Sequence, residues 1–178
     1  MKIINILLFT FVCASASAND KLNCLRDAYL DYTNQVSIYW NAKDAEFKKS
    51  HPKLYKKFSY LITEQKDHNR MQEITVEYLI KKHPDELNLD GSLYNMVPRY
   101  KHYEQKIYRE LRSIPEFTQL YIDIESYKKE NKMPVFEDLK AASNIIFENL
   151  DGIPSVIAQK NLALKKAEKM VSSLSCGS

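Results

Sequence analysis

The chain has 178 residues, 44% apolar and 28% charged, with only three glycines and a formal net charge of +3. Such usage excludes a disordered chain, and so few glycines argue against an all-β fold with many tight turns. A charge this small, spread along the chain, gives no footprint for nucleic acid. The expectation is an all-α protein: a single-domain bundle of six or seven amphipathic helices.

Residues 1–18 read as a signal peptide. Lys2 is a short basic region, Ile3 to Val12 is mostly apolar, and Ala14 to Ala18 ends in an A-x-A pattern that places cleavage after Ala18. The apolar run is too short for a stable anchor, and no second run approaches it. A secreted protein is expected, extracellular or periplasmic, with residues 19–178 as one helical domain and no transmembrane anchor. Cys24 and Cys176 remain after cleavage. In an oxidising compartment they most simply form one disulfide, worth on the order of 4–5 kcal/mol for so long a loop. Unpaired thiols or a bridge between chains are the alternatives.

The first helix is expected from Asp20 to about Lys49. Leu22, Leu25, Tyr29, Tyr32, Val36 and Tyr39 recur in steps of three and four. Trp40, the only tryptophan, lies beside this stripe and reads as an anchor at the edge of the core. Ser50-His51-Pro52 is a break followed by a new start, after which Leu54, Phe58, Leu61 and Ile62 face inward. Thr63 to Arg70 contains no apolar residue, so an exposed segment or a kink is expected there. Met71, Ile74, Tyr78 and Leu79 restore the face, and His83-Pro84 ends it. Asp90-Gly91 marks a turn. A helix follows from about Asn95 to Arg112, striped by Val97, Tyr100, Ile107 and Leu111. Ser113 to Glu116 has the spacing of a capping box and opens a short helix carrying Phe117, Leu120, Tyr121 and Ile124.

Pro134 to Leu150 is the most completely punctuated helix. Pro134 suits a first turn, Glu137 and Asp138 suit the positive helix end, and Asp151-Gly152 with Pro154 supplies the stop. Its apolar stripe is wide enough to suggest contacts on two sides, as in the central helix of a bundle. A last helix runs from Pro154 to about Leu174, with Ile157, Leu164, Ala167, Val171 and Leu174 inward.

Little here announces chemistry. No two of the four histidines stand three or four apart, and neither remaining cysteine has Cys-x-x-Cys spacing. The sequence lacks HExxH, GxSxG, a Gly-rich phosphate loop and an Asp-rich calcium loop. No catalytic residue, metal ligand or cofactor is therefore assigned. The unusual count is tyrosine, at 12. Rings at stripe edges are first of all amphipathic margins of the core, though they could also line a groove.

Two stretches carry a family likeness. EDLKAASNIIFENL (137–150) and, earlier in the chain, KSHPKLYKKFSYLI (49–62) resemble segments of the nematode fatty-acid- and retinol-binding proteins, and their order along the chain agrees with that family. The resemblance implies helices wrapped around an apolar cavity that holds a fatty acid or retinol by burial. It nominates Phe58, Leu61, Leu139, Ala142, Ile145, Ile146 and Phe147 as cavity walls, residues that plain core packing would also explain. The competing reading is a secreted or periplasmic interaction module, such as an inhibitor, immunity protein or effector. A carrier predicts a cavity of several hundred Å³ inside the bundle. An interaction module predicts a dry core and an exposed aromatic patch for a protein partner.

Overall fold

Nothing in the first 51 residues can stop a helix, since they contain neither glycine nor proline. The computed structural model accordingly shows one helix there, α1 (Ile3–Ser50), which runs on through the expected leader boundary. The structure describes residues 3–87, 105–130 and 136–173, with side chains from Asp20 onward. After α1 come α2 (Pro52–Phe58), α3 (Tyr60–Lys82), a 3-10 turn (Pro84–Glu86), α4 (Gln105–Leu111), α5 (Pro115–Glu130), α6 (Phe136–Phe147) and α7 (Val156–Ser173). The all-α expectation holds, with seven helices among the described residues. None of these is long and apolar enough to cross a membrane.

The hub is α1. It packs along α3 and α7 and meets α2 and α6 near its C-terminal end. Its buried line is Leu25, Ala28, Tyr29, Tyr32, Val36, Tyr39, Trp40, Lys43 and Phe47. The expected stripe is thus correct but too narrow, because neighbours cover α1 on more than one side. Trp40 is no edge anchor. It is 1% exposed and meets Phe147 edge-to-face, with centroids 5.9 Å apart. The helix read as central, now α6, ends at Phe147 rather than Leu150, and its expected start at Pro134 lies outside the described residues. It contacts α2 and α1 but leaves Ala141 exposed, so it lies at the margin of the bundle.

The polar stretch 63–70 is neither a kink nor an exposed segment. It lies inside α3, and most of it is half-buried against α1. Two of its polar side chains find partners on α1, as buried polar groups require. Asn69 is buried and donates to the Thr33 carbonyl (3.0 Å) and to Ser37 Oγ (2.8 Å). Lys66 reaches Asp44 at 3.3 Å. These pairs set α3 antiparallel to α1.

The opening of α5 also differs from expectation. Ser113 Oγ donates back to the Glu110 carbonyl (2.5 Å), and Glu116 accepts from Arg70 of α3 (2.8 Å), so no capping box closes. Between α6 and α7, Leu150 and Ile153 exchange backbone hydrogen bonds around Asp151-Gly152, and Gly152 takes φ +72°. Two small buried residues, Ala163 and Ala167, let α7 lie close to α1. Ile157 is 70% exposed rather than inward. The buried line of α7 passes through Ala163, Leu164, Ala167 and Val171, and Val156 rather than Ile157 continues it. The expectations for the Asp90-Gly91 turn, for 95–104, and for Leu174 and Cys176, lie outside the described residues.

Candidate functional site

Antiparallel packing of α1 on α3 leaves a cleft of about 740 Å³ where the two helices part. From α1 it is lined by Leu22, Asn23, Arg26, Asp27 and Leu30, spacings that share one helical face. The last turns of α3 contribute Glu77, Ile80 and Lys81. Leu22 and Ile80 are half-buried and packed against the core, so the floor is apolar. The rim is ionic and polar. Arg26 Nε and Nη2 donate to Asp27 Oδ1 at 2.9 and 2.8 Å, and Nη1 donates to Asn23 Oδ1 at 3.2 Å. The guanidinium is thereby laid along α1 instead of across the opening. The volume falls within the range of small-molecule sites.

The wall of the cleft formed by α3 is braced from outside the cleft. Tyr78 Oη donates to Glu110 Oε2, and His83 Nε2 lies 2.7 Å from the same oxygen. This ties the end of α3 to α4. The Tyr78 hydroxyl is pushed up to about 12, first by its bond to Glu110 and then by burial. Glu110 is held below the ordinary carboxylate range, first by Tyr78 and then by His83. A depressed carboxyl adds stability above its unfolded titration range and loses it as pH falls through its folded value. Acid is therefore expected to loosen this brace. In thermal unfolding followed from neutral pH down through the carboxylate range, Glu110→Gln should show a smaller acid-dependent fall in Tm than the wild type. Parallel curves would mean that the brace carries no linkage.

The seven residues nominated as cavity walls lie elsewhere. Phe58, Ala142 and Ile146 are buried in the core, with Leu61, Leu139, Ile145 and Phe147 packed half-buried against it. They gather where α2, α6 and the end of α1 meet, and none lines the cleft. Beneath them the sequence reading missed a buried charge. Lys43 is completely buried, and its Nζ donates to the Glu148 carbonyl just beyond α6. The ammonium also lies 5.7 Å from the centre of the Tyr39 ring. Desolvation pulls the Lys43 pKa down, and burial drives the Tyr39 hydroxyl up. A signal for Lys43 was present: it occupies the next turn of the Val36, Tyr39 stripe.

Among the described residues no group of three histidine, cysteine or acidic side chains could hold a metal ion. No family model matches the chain, and neither the curated proteins nor the solved structures contain a match. What the fold and the cleft define is a class only: an all-helical protein with a small-molecule-sized opening between its two longest helices.

Proposed function

We propose that the protein is a non-enzymatic carrier of an apolar small molecule, with the α1–α3 cleft as its binding site. The carrying observation is the cleft itself, with its volume of about 740 Å³ and an apolar floor inside a polar rim. Affinity would come from burial, at roughly 0.8 kcal/mol per methylene removed from water. The resemblance of residues 49–62 and 137–150 to the fatty-acid- and retinol-binding family agrees with this reading and makes a fatty acid or retinol the first ligand to test. The same reading makes residues 1–18 an export signal and pairs Cys24 with Cys176.

The interaction-module reading draws support from the close packing of the seven nominated residues. Among the described residues its second mark is not present: the large exposed apolar residues are Ile38, Ile122, Ile157 and Leu162, none of them aromatic.

The test is titration of the oxidised mature chain with an environment-sensitive fluorescent fatty acid, followed by competition with unlabelled oleate. Saturable, displaceable binding near one per chain is expected. Leu30→Glu, which puts a charge on the cleft wall, should weaken it by about tenfold or more. A folded sample that binds nothing would remove the carrier reading. Binding unchanged by Leu30→Glu would move the site away from the cleft.

A further inference from the structure

We propose that the corner where α1 turns into α2 is a docking surface for an anionic lipid bilayer. The net charge of the whole chain is only +3, yet residues 47–63 hold five lysines and no carboxylate. The positive charge is therefore concentrated at one place. All five lysines (Lys48, Lys49, Lys53, Lys56 and Lys57) are exposed. On α2 the spacing of Lys53, Lys56 and Lys57 puts them on one face, while Phe58 is buried and Leu54 packs half-buried against the core. The last turn of α1 adds Lys48 and Lys49 beside them.

Neighbouring acids neutralise little of this patch. Asp138 of α6 takes Lys57 at 3.0 Å, with Glu137 exposed beside it. Glu46 of α1 approaches Lys49 only to 3.9 Å. Asp44 is engaged by Lys66, and Glu64 lies 3.5 Å from His68, both on α3. Lys48 lies 5.9 Å from the centre of the Tyr55 ring. Lys48, Lys53 and Lys56 are thus left without a carboxylate among the described residues.

The form of the patch favours a surface over a strand-like polymer. The lysines are spread over two helices at a corner, not aligned along a groove. Single-stranded nucleic acid is further disfavoured, since it is held by exposed aromatic rings, and the large exposed apolar residues described are all aliphatic. A bilayer asks only for breadth and charge. Clustered lysines next to anionic headgroups add up, and salt screens them.

The experiment is co-sedimentation of the full mature chain, without added ligand, with phosphatidylcholine vesicles that contain or lack phosphatidylglycerol. The chain should pellet only with the anionic vesicles and be released by about 0.5 M salt. The triple variant Lys48→Glu, Lys53→Glu, Lys56→Glu should bind about 100-fold more weakly. Its helical circular dichroism and its titration with the fluorescent fatty acid should match the wild type. Equal pelleting of variant and wild type, pelleting with neutral vesicles, or binding to heparin or an oligonucleotide but not to vesicles would each overturn the proposal. Because no ligand is present in the vesicle assay, failure of the carrier reading would show only in the fatty-acid titration.

Discussion

Trp40→Ala is expected to destabilise the fold by about 3–5 kcal/mol, the range for truncating a large buried aromatic residue. Trp40 is 1% exposed, and its ring meets Tyr39 at 5.1 Å and Phe147 at 5.9 Å between centroids. The substitution removes the side chain that fills the junction of α1 and α6, and the long α1 cannot collapse locally into the space. For a domain of total stability about 5–15 kcal/mol, that is a large share. Denaturant unfolding followed by far-ultraviolet circular dichroism measures it, because the variant has no other tryptophan to report. Ile157→Ala, at an exposed position, is the control and should stay within about 0.5 kcal/mol. A loss below about 1 kcal/mol at Trp40 would mean that α6 does not cover the ring.

The same region shows what the sequence could and could not reveal. The inward face of α1 was legible because Leu25, Tyr29, Tyr32, Val36 and Tyr39 are apolar and regularly spaced. The start of α2 was legible because Pro52 punishes any other arrangement of His51. Width was not legible. How many neighbours cover a helix is a tertiary property, so Trp40 was read at an edge and α6 at the centre. Buried polar residues were hidden for a related reason. Asn69 and Lys43 stand on inward faces, but their partners are Thr33 and Ser37 on another helix and the Glu148 carbonyl 105 residues away. Neither partner can be inferred from local spacing, so the run 63–70 read as solvated. The cleft was illegible for the same cause. It is built from the flank of α1 and the last turns of α3, and only the register between those helices decides whether Leu22 faces Ile80 across a gap or packs against it.

Lys43→Met is expected to leave the protein no less stable at neutral pH, and up to about 3 kcal/mol more stable. The sign follows from the surroundings of the amine. Lys43 is fully buried, its hydrogen-bond partner is one backbone carbonyl, and no carboxylate forms an ion pair with it among the described residues. A buried charge that is incompletely compensated costs several kcal/mol of desolvation, and apolar replacements of similar volume are often neutral or stabilising. Methionine keeps most of the volume and can adapt to the slot beside Tyr39. It forfeits the bond to the Glu148 carbonyl, which limits the gain. Lys43→Ala should behave differently, because it adds a cavity to that loss and is expected to destabilise. The pH dependence separates desolvation from packing. Burial lowers the folded-state pKa of Lys43 below its ordinary 10.5. Between the two values the unfolded chain binds more protons, so this group makes wild-type stability rise with pH in that window. Below the window its penalty is complete and constant. The advantage of the methionine variant in urea unfolding should therefore be greatest at neutral pH and shrink as pH approaches the ordinary lysine range. Tyrosine titration in the same range is common to both proteins and cancels in the difference. A methionine variant clearly less stable than the wild type at neutral pH would show that the ammonium–carbonyl bond outweighs desolvation, and that Lys43 is a net clamp between α1 and the end of α6.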